Sequence, residues 1–480
     1  MPCTFRRAAL ALVALLLLSA GCVTTSEQPA APGRARNVIL FIGDGMGVST
    51  VTAARIYDGQ SRGETGEENT LSFERFPNVA LVKTYNTNQQ VPDSAGTATA
   101  MNTGVKTRAG VIGVGPEAFR RDCASARGAE LATIADAAVA HGKDYGIVTT
   151  TRITHATPAT VYAHLPERDW ESDAYLTEAQ LEAGCVDIAR QFVGLPPERA
   201  PAITLGGGWR EFKPVAENGK RRDGRDLVAE WLAAAPGRQY ITRADELDGL
   251  RAKSTVLGLF SRSHMPYEAL REETTTRPGI VAMTAAAIDH LEARGNGYYL
   301  MVEGGRIDHG HHDGQPGLAL SEAQAFANAV QAAVDRVDLD ETLILVTADH
   351  SHVFTLAGYP TRGNDILGLV YGNDRSGRPM AEPTLGGDGQ PYTTVGYANG
   401  PNAVRGERPR PDTGLTAVAQ SLVPIEYVTM SGDTSHDETH GGEDVAIYAI
   451  GPGSDAVRGV IEQNLIFDIM MGAWGFGAAE

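Results

Sequence analysis

The chain has 480 residues, 42% of them hydrophobic and 21% charged, with a formal net charge of −18. Its length allows two or three average domains. The acidic balance and the lack of any basic block exclude nucleic acid and anionic lipid headgroups as specific partners, and any phosphate-binding role then needs a local reversal of sign.

The amino terminus reads as an export signal. Arg6 and Arg7 precede an unbroken apolar run, Ala8 to Leu18, too short to span a bilayer. Leu18-Ser19-Ala20-Gly21-Cys22 follows and resembles a bacterial lipobox, Ser19 being its less usual residue. Residues 1–21 are then a lipoprotein signal peptide, and Cys22 is the lipidated first residue of an exported protein on the periplasmic or cell-surface side of a membrane. Ordinary cleavage nearby, leaving a soluble periplasmic protein, is the alternative. Val23 after Cys22, in place of Asp, favours the outer membrane in a Gram-negative host. Residues 22–36 are small, polar and proline-containing, as in a flexible tether. With Cys3 removed and Cys22 lipidated, Cys123 and Cys185 remain as an even pair in an oxidising compartment. A disulfide between them is expected, with two buried thiols or a metal pair as the other readings.

Several apolar runs end in chemistry. Asn37 to Ile42 reads as a buried strand running into Gly43-Asp44-Gly45-Met46-Gly47. In Pro92-Asp93-Ser94-Ala95-Gly96-Thr97, a serine follows an acid and heads a run of small residues that opens a helix. Free N–H groups and the positive dipole end there favour an alkoxide or a bound phosphate, although a plain cap has the same appearance. Tyr145 to Thr149 leads into Thr151-Arg152-Ile153-Thr154-His155-Ala156-Thr157. Ile280, Met283, Ala287 and Leu291 share a helical face, and Tyr298 to Val302 then ends at Glu303 and the run Arg306 to His312. Leu320, Ala323, Ala327, Val330, Val334 and Val337 repeat the helical spacing, and Thr342 to Thr347 ends at Ala348-Asp349-His350-Ser351-His352. Val445 to Ile450 follows Glu438-Thr439-His440.

Strands apolar on both faces, alternating with helices, predict an α/β fold: a mainly parallel central sheet covered by helices on both faces. Ligands in such sheets bind beyond the carboxyl ends of the strands, where these clusters lie. Asp44 and His440 serve one site only if a single catalytic domain spans 37–480. The stretch from about 359 to 437 is rich in Gly, Pro, Asn and Thr and reads as a smaller, loop-rich inserted lobe, with long surface loops as the alternative. His and carboxylate together suit zinc, whereas Glu303 and the Thr157 hydroxyl suit magnesium.

Taken in order, Gly43-Asp44-Gly45, Asp93-Ser94-Ala95, His155-Ala156-Thr157, Glu303 through His312, Ala348 through His352 and Glu438-Thr439-His440 resemble the alkaline phosphatase family from Asn37 to Phe467. The resemblance implies hydrolysis of phosphate monoesters of broad range through a phosphoserine at Ser94, with two zinc ions and one magnesium. It implies one zinc on Asp308, His312 and His440, and a second on Asp44, Asp349 and His350. Magnesium falls to Asp44, Thr157 and Glu303, and Arg168 grips two phosphate oxygens. The inserted lobe corresponds to the family's crown, and a homodimer is implied. Four carboxylates give roughly −4, three divalent ions about +6 and Arg168 about +1, so the loaded site is positive and the metal-free one about −3.

His155 and His309 match the animal branch of the family and are expected beside magnesium and phosphate. Cys123 and Cys185 match a disulfide of animal forms. Ser261 and Thr276 stand where animal members place acidic calcium ligands, so no calcium site is expected. Sulfatases build their nucleophile in a Pro- and Arg-containing signature that is absent around Ser94, and diesterases generally lack the Arg168, Thr157 and Glu303 arrangement. A zinc-storing lipoprotein would have no use for Ser94.

Overall fold

All seven residues of Asn37–Gly43 (β1) are buried, as a strand covered on both faces requires. The computed structural model describes residues 33–272, 274–401, 407–419 and 437–476. The expected signal peptide, Cys22, the tether up to residue 32 and part of the expected lobe lie outside these residues. The other strands are Asn78–Lys83 (β2), Asp144–Arg152 (β3), Ile203–Gly207 (β4), Arg238–Ile241 (β5), Thr255–Leu259 (β6), Tyr298–Glu303 (β7), Thr342–Ala348 (β8), Ser351–His352 (β9), Phe354–Leu356 (β10), Val395–Tyr397 (β11), His440–Gly441 (β12), Val445–Ile450 (β13) and Gly459–Glu462 (β14).

A 10-stranded sheet runs in the order β14-β2-β13-β8-β1-β7-β3-β4-β6-β5. Every neighbouring pair is parallel except the two that involve β13. One face is covered by the helices Val48–Ser61, Ile280–Arg294 and Pro316–Val334, the other by Ser94–Thr103, Ile134–Ala140 and Leu465–Trp474. The apolar stripe of Ile280, Met283, Ala287 and Leu291 is buried against the sheet. Phe326 meets Phe41 and Phe73 edge-on at centroid distances of 5.8 and 6.4 Å. Each such fully buried ring contributes about 1.5–3 kcal/mol. No helix among the described residues is long and apolar enough to cross a membrane.

The register brings the chemistry to one edge. Ile42 pairs with Glu303 and Gly43 with Ala348, so Asp44, Glu303 and Asp349 leave adjacent strand ends together. Thr149 of β3 pairs with Glu303 on the other side. His440, in β12, precedes β13, yet β13 is antiparallel to β8, so the beginning of β13 lies beside the end of β8. β9 then pairs with β12 so that His352 faces His440.

The described residues from Gly33 onward form one compact unit. The loop-rich stretch after β10 returns through β11, with which β10 pairs antiparallel. It leans on the helix Val48–Ser61 and the loop after it. Gln60 Nε2 donates to Asn364 O at 2.8 Å, and Gly363 N donates to Glu67 Oε1 at 2.6 Å.

Candidate metal centre

Ser94 is the first residue of a ten-residue helix, Ser94–Thr103, buried along its whole length. Asp93 caps it: Oδ1 accepts from Gly96 N at 3.0 Å, and Oδ2 accepts from Gly110 N at 2.9 Å and from Arg168 Nη1 at 3.1 Å. One carboxylate therefore holds both the helix start and the Arg168 guanidinium. Ser94 Oγ lies 3.2 Å from His350 Nε2 and 3.4 Å from Asp44 Oδ1. Gly45 has φ +68, and a Cβ there would strike the His352 ring. Only glycine makes this turn, whose N–H reaches Asp349 Oδ1 at 3.0 Å.

Three groups of potential ligands form here, each with its donor atoms within 4.8 Å of one another: Asp308, His312, His352 and His440; Asp44, Asp308 and His350; and Asp44, His155 and Glu303. The histidines differ in how their protons are fixed. His312 Nδ1 meets Glu438 O at 2.6 Å, His440 Nδ1 meets Pro92 O at 2.7 Å, and His350 Nδ1 meets Ser351 O at 3.3 Å. A carbonyl only accepts, so each Nδ1 carries a proton and Nε2 is the ring atom turned into the site. His312 Nε2 and His440 Nε2 are 3.1 Å apart. Both nitrogens also face Asp308 Oδ1, at 3.2 and 3.5 Å, so the three atoms together can hold a cation.

His352 is different. Its Nε2 donates to Asp308 Oδ1 at 2.8 Å and its Nδ1 to a carboxylate oxygen of Glu438. With a carboxylate at each nitrogen it is held as an imidazolium. Burial opposes that charge, but Glu438 and Asp308 push its pKa up to about 10. It stands among the ligands by distance and has no lone pair to give.

The electrostatics mark a site built for cations. Burial, then Asp349, Asp308 and Glu303, push the Asp44 carboxyl well above its ordinary range. Burial also raises Glu303 to about 7 against the pull of nearby threonine hydroxyls, chiefly Thr149. Burial and His440 keep His350 neutral. Asp44 Oδ2, Glu303 Oε1, Thr157 Oγ1 and His155 Nδ1 are buried with no hydrogen-bond partner. Unpaired buried oxygens of this kind are costly unless an ion or water satisfies them.

The expected residues fall as follows. Asp308, His312 and His440 converge as one set, and Asp308 also reaches the Asp44 and His350 group. Asp349 Oδ1 is occupied by the amides of Gly45 and His350, while Oδ2 lies 3.3 Å from His350 Nε2. His155 sits nearer the metal groups than expected, as a member of the third, with Nε2 3.5 Å from Arg168 Nη2. His309 joins none of the three; Arg306 Nη1 donates to its Nδ1 at 2.9 Å and its ring lies 5.6 Å from that of His155. Burial lowers the His309 pKa to about 3, leaving it neutral.

Cys123 and Cys185 form a disulfide, with Cα atoms 5.8 Å apart. Ser261 O accepts from Gly208 N and Trp209 N, and Thr276 O accepts from Ala244 N. Sequence reasoning gave no role to His352 or to Glu438. The available signal was the alternation in His350-Ser351-His352 and the position of Glu438 two residues before His440.

The family model for alkaline phosphatase matches residues 35–475. The tissue-nonspecific alkaline phosphatase of Gallus gallus is 44% identical over 450 residues, covering 90% of this chain and 83% of that protein. The alkaline phosphatase of Gadus morhua is 42% identical, covering 92% of each. Among solved structures, the alkaline phosphatase of Thermus thermophilus superposes with a TM-score of 0.64 at 25% identity, covering 97% of this chain and 96% of that one.

Proposed function

Because this chain belongs to the alkaline phosphatase family, and so hydrolyses phosphate monoesters, we propose that Ser94 is its nucleophile and two zinc ions and one magnesium its cofactors. Ser94 Oγ gives its proton to water and forms the bond to phosphorus as the ester oxygen–phosphorus bond breaks, and the leaving alkoxide takes a proton from water and departs as the alcohol. Water then attacks phosphorus, the Oγ–phosphorus bond breaks, and inorganic phosphate departs with Ser94 restored. The observation that carries this reading is the convergence on one buried hydroxyl, with Asp44 and His350 within 3.4 Å of Oγ and the Arg168 guanidinium tied to the same helix cap.

Asp308, His312 and His440 would hold one zinc; Asp44, Asp349 and His350 the other. The Nε2 atoms of these histidines, turned into the site while Nδ1 is held by a carbonyl, support this assignment. Asp44, Glu303 and the Thr157 hydroxyl, with unpartnered oxygens, would hold magnesium, and His155 stands beside them. When bound, the ions favour the serine alkoxide and stabilise charge on the transferring phosphoryl group and the leaving oxygen. Arg168 presents two parallel N–H groups that lysine cannot reproduce, and Asp93 aims them. The helix N-terminus adds its own N–H groups at Ser94.

The test compares initial rates on a chromogenic monoester, a diester and a sulfate ester, with and without zinc and magnesium. Monoester turnover that requires metal and vanishes in Ser94→Ala supports the reading; full activity in Ser94→Ala refutes it.

Export and lipidation at Cys22, residence at the periplasmic or cell-surface side of a membrane, and a homodimer belong to the same proposal. The lipobox-like Leu18 to Cys22 supports the anchor. Incorporation of labelled palmitate that is lost in Cys22→Ser checks the anchor, and light scattering checks the dimer.

A further inference from the structure

Glu167 is wholly buried, yet both side chains that neutralise it are exposed arginines from one short stretch. Its Oε1 accepts from Arg120 Nη2 at 2.6 Å, from Arg120 Nε at 3.2 Å and from Asp169 N at 3.2 Å, and its Oε2 accepts from Arg121 Nε at 2.7 Å. Successive side chains of an extended chain point apart, but Arg121 adopts the left-handed conformation at φ 64, and the two guanidiniums converge. The segment carrying them is tied to the Arg168 segment along its length. Arg168 N donates to Gly110 O at 2.9 Å, Ile112 and Leu165 exchange two backbone hydrogen bonds, and Arg121 N donates to Pro166 O at 2.9 Å. Two residues further on, Cys123 is bonded to Cys185. At the other end Gly110 N donates to Asp93 Oδ2, the oxygen that also receives Arg168 Nη1.

We propose that Glu167, clamped by Arg120 and Arg121 and backed by the Cys123–Cys185 bond, is a positioning residue that fixes the Arg168 guanidinium over the phosphoryl site. The proposal rests on the reading of Arg168 as the residue that grips phosphate. Glu167 touches no reacting atom. It sets the backbone from which Arg168 extends, and a shift of a fraction of an ångström there displaces a bidentate contact.

The test is a double-mutant cycle on metal-loaded enzyme, with p-nitrophenyl phosphate as substrate and inorganic phosphate as inhibitor. Glu167→Gln is expected to raise KM and the phosphate Ki together by about tenfold, with kcat within about twofold. In an Arg168→Ala background the same change is expected to add nothing. The double variant Cys123→Ser with Cys185→Ser keeps Glu167 and is read the same way, so poor folding of one protein does not end the test. KM and Ki unchanged in both variants, or effects that add fully to Arg168→Ala, overturn the clamp. If Arg168→Ala leaves phosphate inhibition unchanged, the reading of Arg168 falls and the clamp falls with it.

Discussion

Asp308 and His352 are joined by a hydrogen bond of 2.8 Å from Nε2 to Oδ1, and the far nitrogen of the same ring is held by Glu438. Asp308 thus keeps a fixed orientation while His312 and His440 bring their Nε2 atoms to within 3.2 and 3.5 Å of the same oxygen. Glu438 serves twice, since its carbonyl also fixes His312 through Nδ1. Outer partners of this kind set the orientation and basicity of metal ligands. Glu438→Gln is expected to weaken zinc at this position by about 10–100-fold. Competition against a chromophoric chelator measures this directly, and unchanged affinity would show that Asp308 needs no such support.

Removing metal should abolish ligand binding as well as turnover. Asp44, Glu303, Asp308 and Asp349 share the site with Arg168, which is itself paired with Asp93, so without cations the site is negative once these carboxyls ionise, Glu303 doing so at about pH 7. Isothermal titration of inorganic phosphate into chelator-treated protein is expected to give no measurable heat, and restoring zinc and magnesium should restore it. Near-normal affinity in the metal-free protein would contradict the charge argument.

His155 lies beside Asp44 and Glu303, and His309 is neutral because burial lowers its pKa to about 3. Aspartate at 155 adds an oxygen ligand suited to magnesium, and lysine at 309 adds a positive charge near the anion. The pair His155→Asp and His309→Lys is expected to tighten magnesium and phosphate and to lower the pH optimum. Product inhibition that does not change would show both rings to be packing residues.

Glu322 carries a pH dependence away from the metal ligands. It is buried in the helix Pro316–Val334, accepts from Glu268 N at 2.5 Å, and burial raises its pKa to about 7. The folded protein binds this proton more tightly than the unfolded chain, so stability is lost as pH rises from about 4.5 through about 7. The cost above pH 7 is on the order of 3 kcal/mol. Glu322→Gln is expected to raise Tm at pH 8 and leave it nearly unchanged at pH 4.5. An equal effect at both pH values would remove titration as the cause.

The five strands legible in the sequence are the five contiguous central ones, β13-β8-β1-β7-β3. Four of them hold long, nearly continuous apolar runs because helices cover both faces. The five that escaped notice flank them. β2 alternates in burial, β14 is largely exposed, β5 has four residues, and β4 and β6 contain glycine. A short or half-exposed strand leaves no run to read. The reversed direction of β13 was also hidden, since periodicity carries no sign. The proposed ligands were legible because most end or follow a buried strand, as Asp44, Glu303, Asp349 and His350 do. His352 and Glu438 were not, because their role depends on which nitrogen carries a proton, and only the partners reveal that. The disulfide was legible from cysteine count and compartment, whereas the Glu167 clamp depends on one residue with positive φ.

The measurement closest to the central claim is acid quenching of the metal-loaded enzyme within milliseconds of mixing with a phosphate monoester, followed by peptide mass spectrometry. Phosphate is expected on Ser94, in an amount approaching one per site when the quench precedes hydrolysis, and none is expected in Ser94→Ala. Phosphate trapped on another residue, or full turnover with nothing trapped on Ser94 at any time, would contradict it.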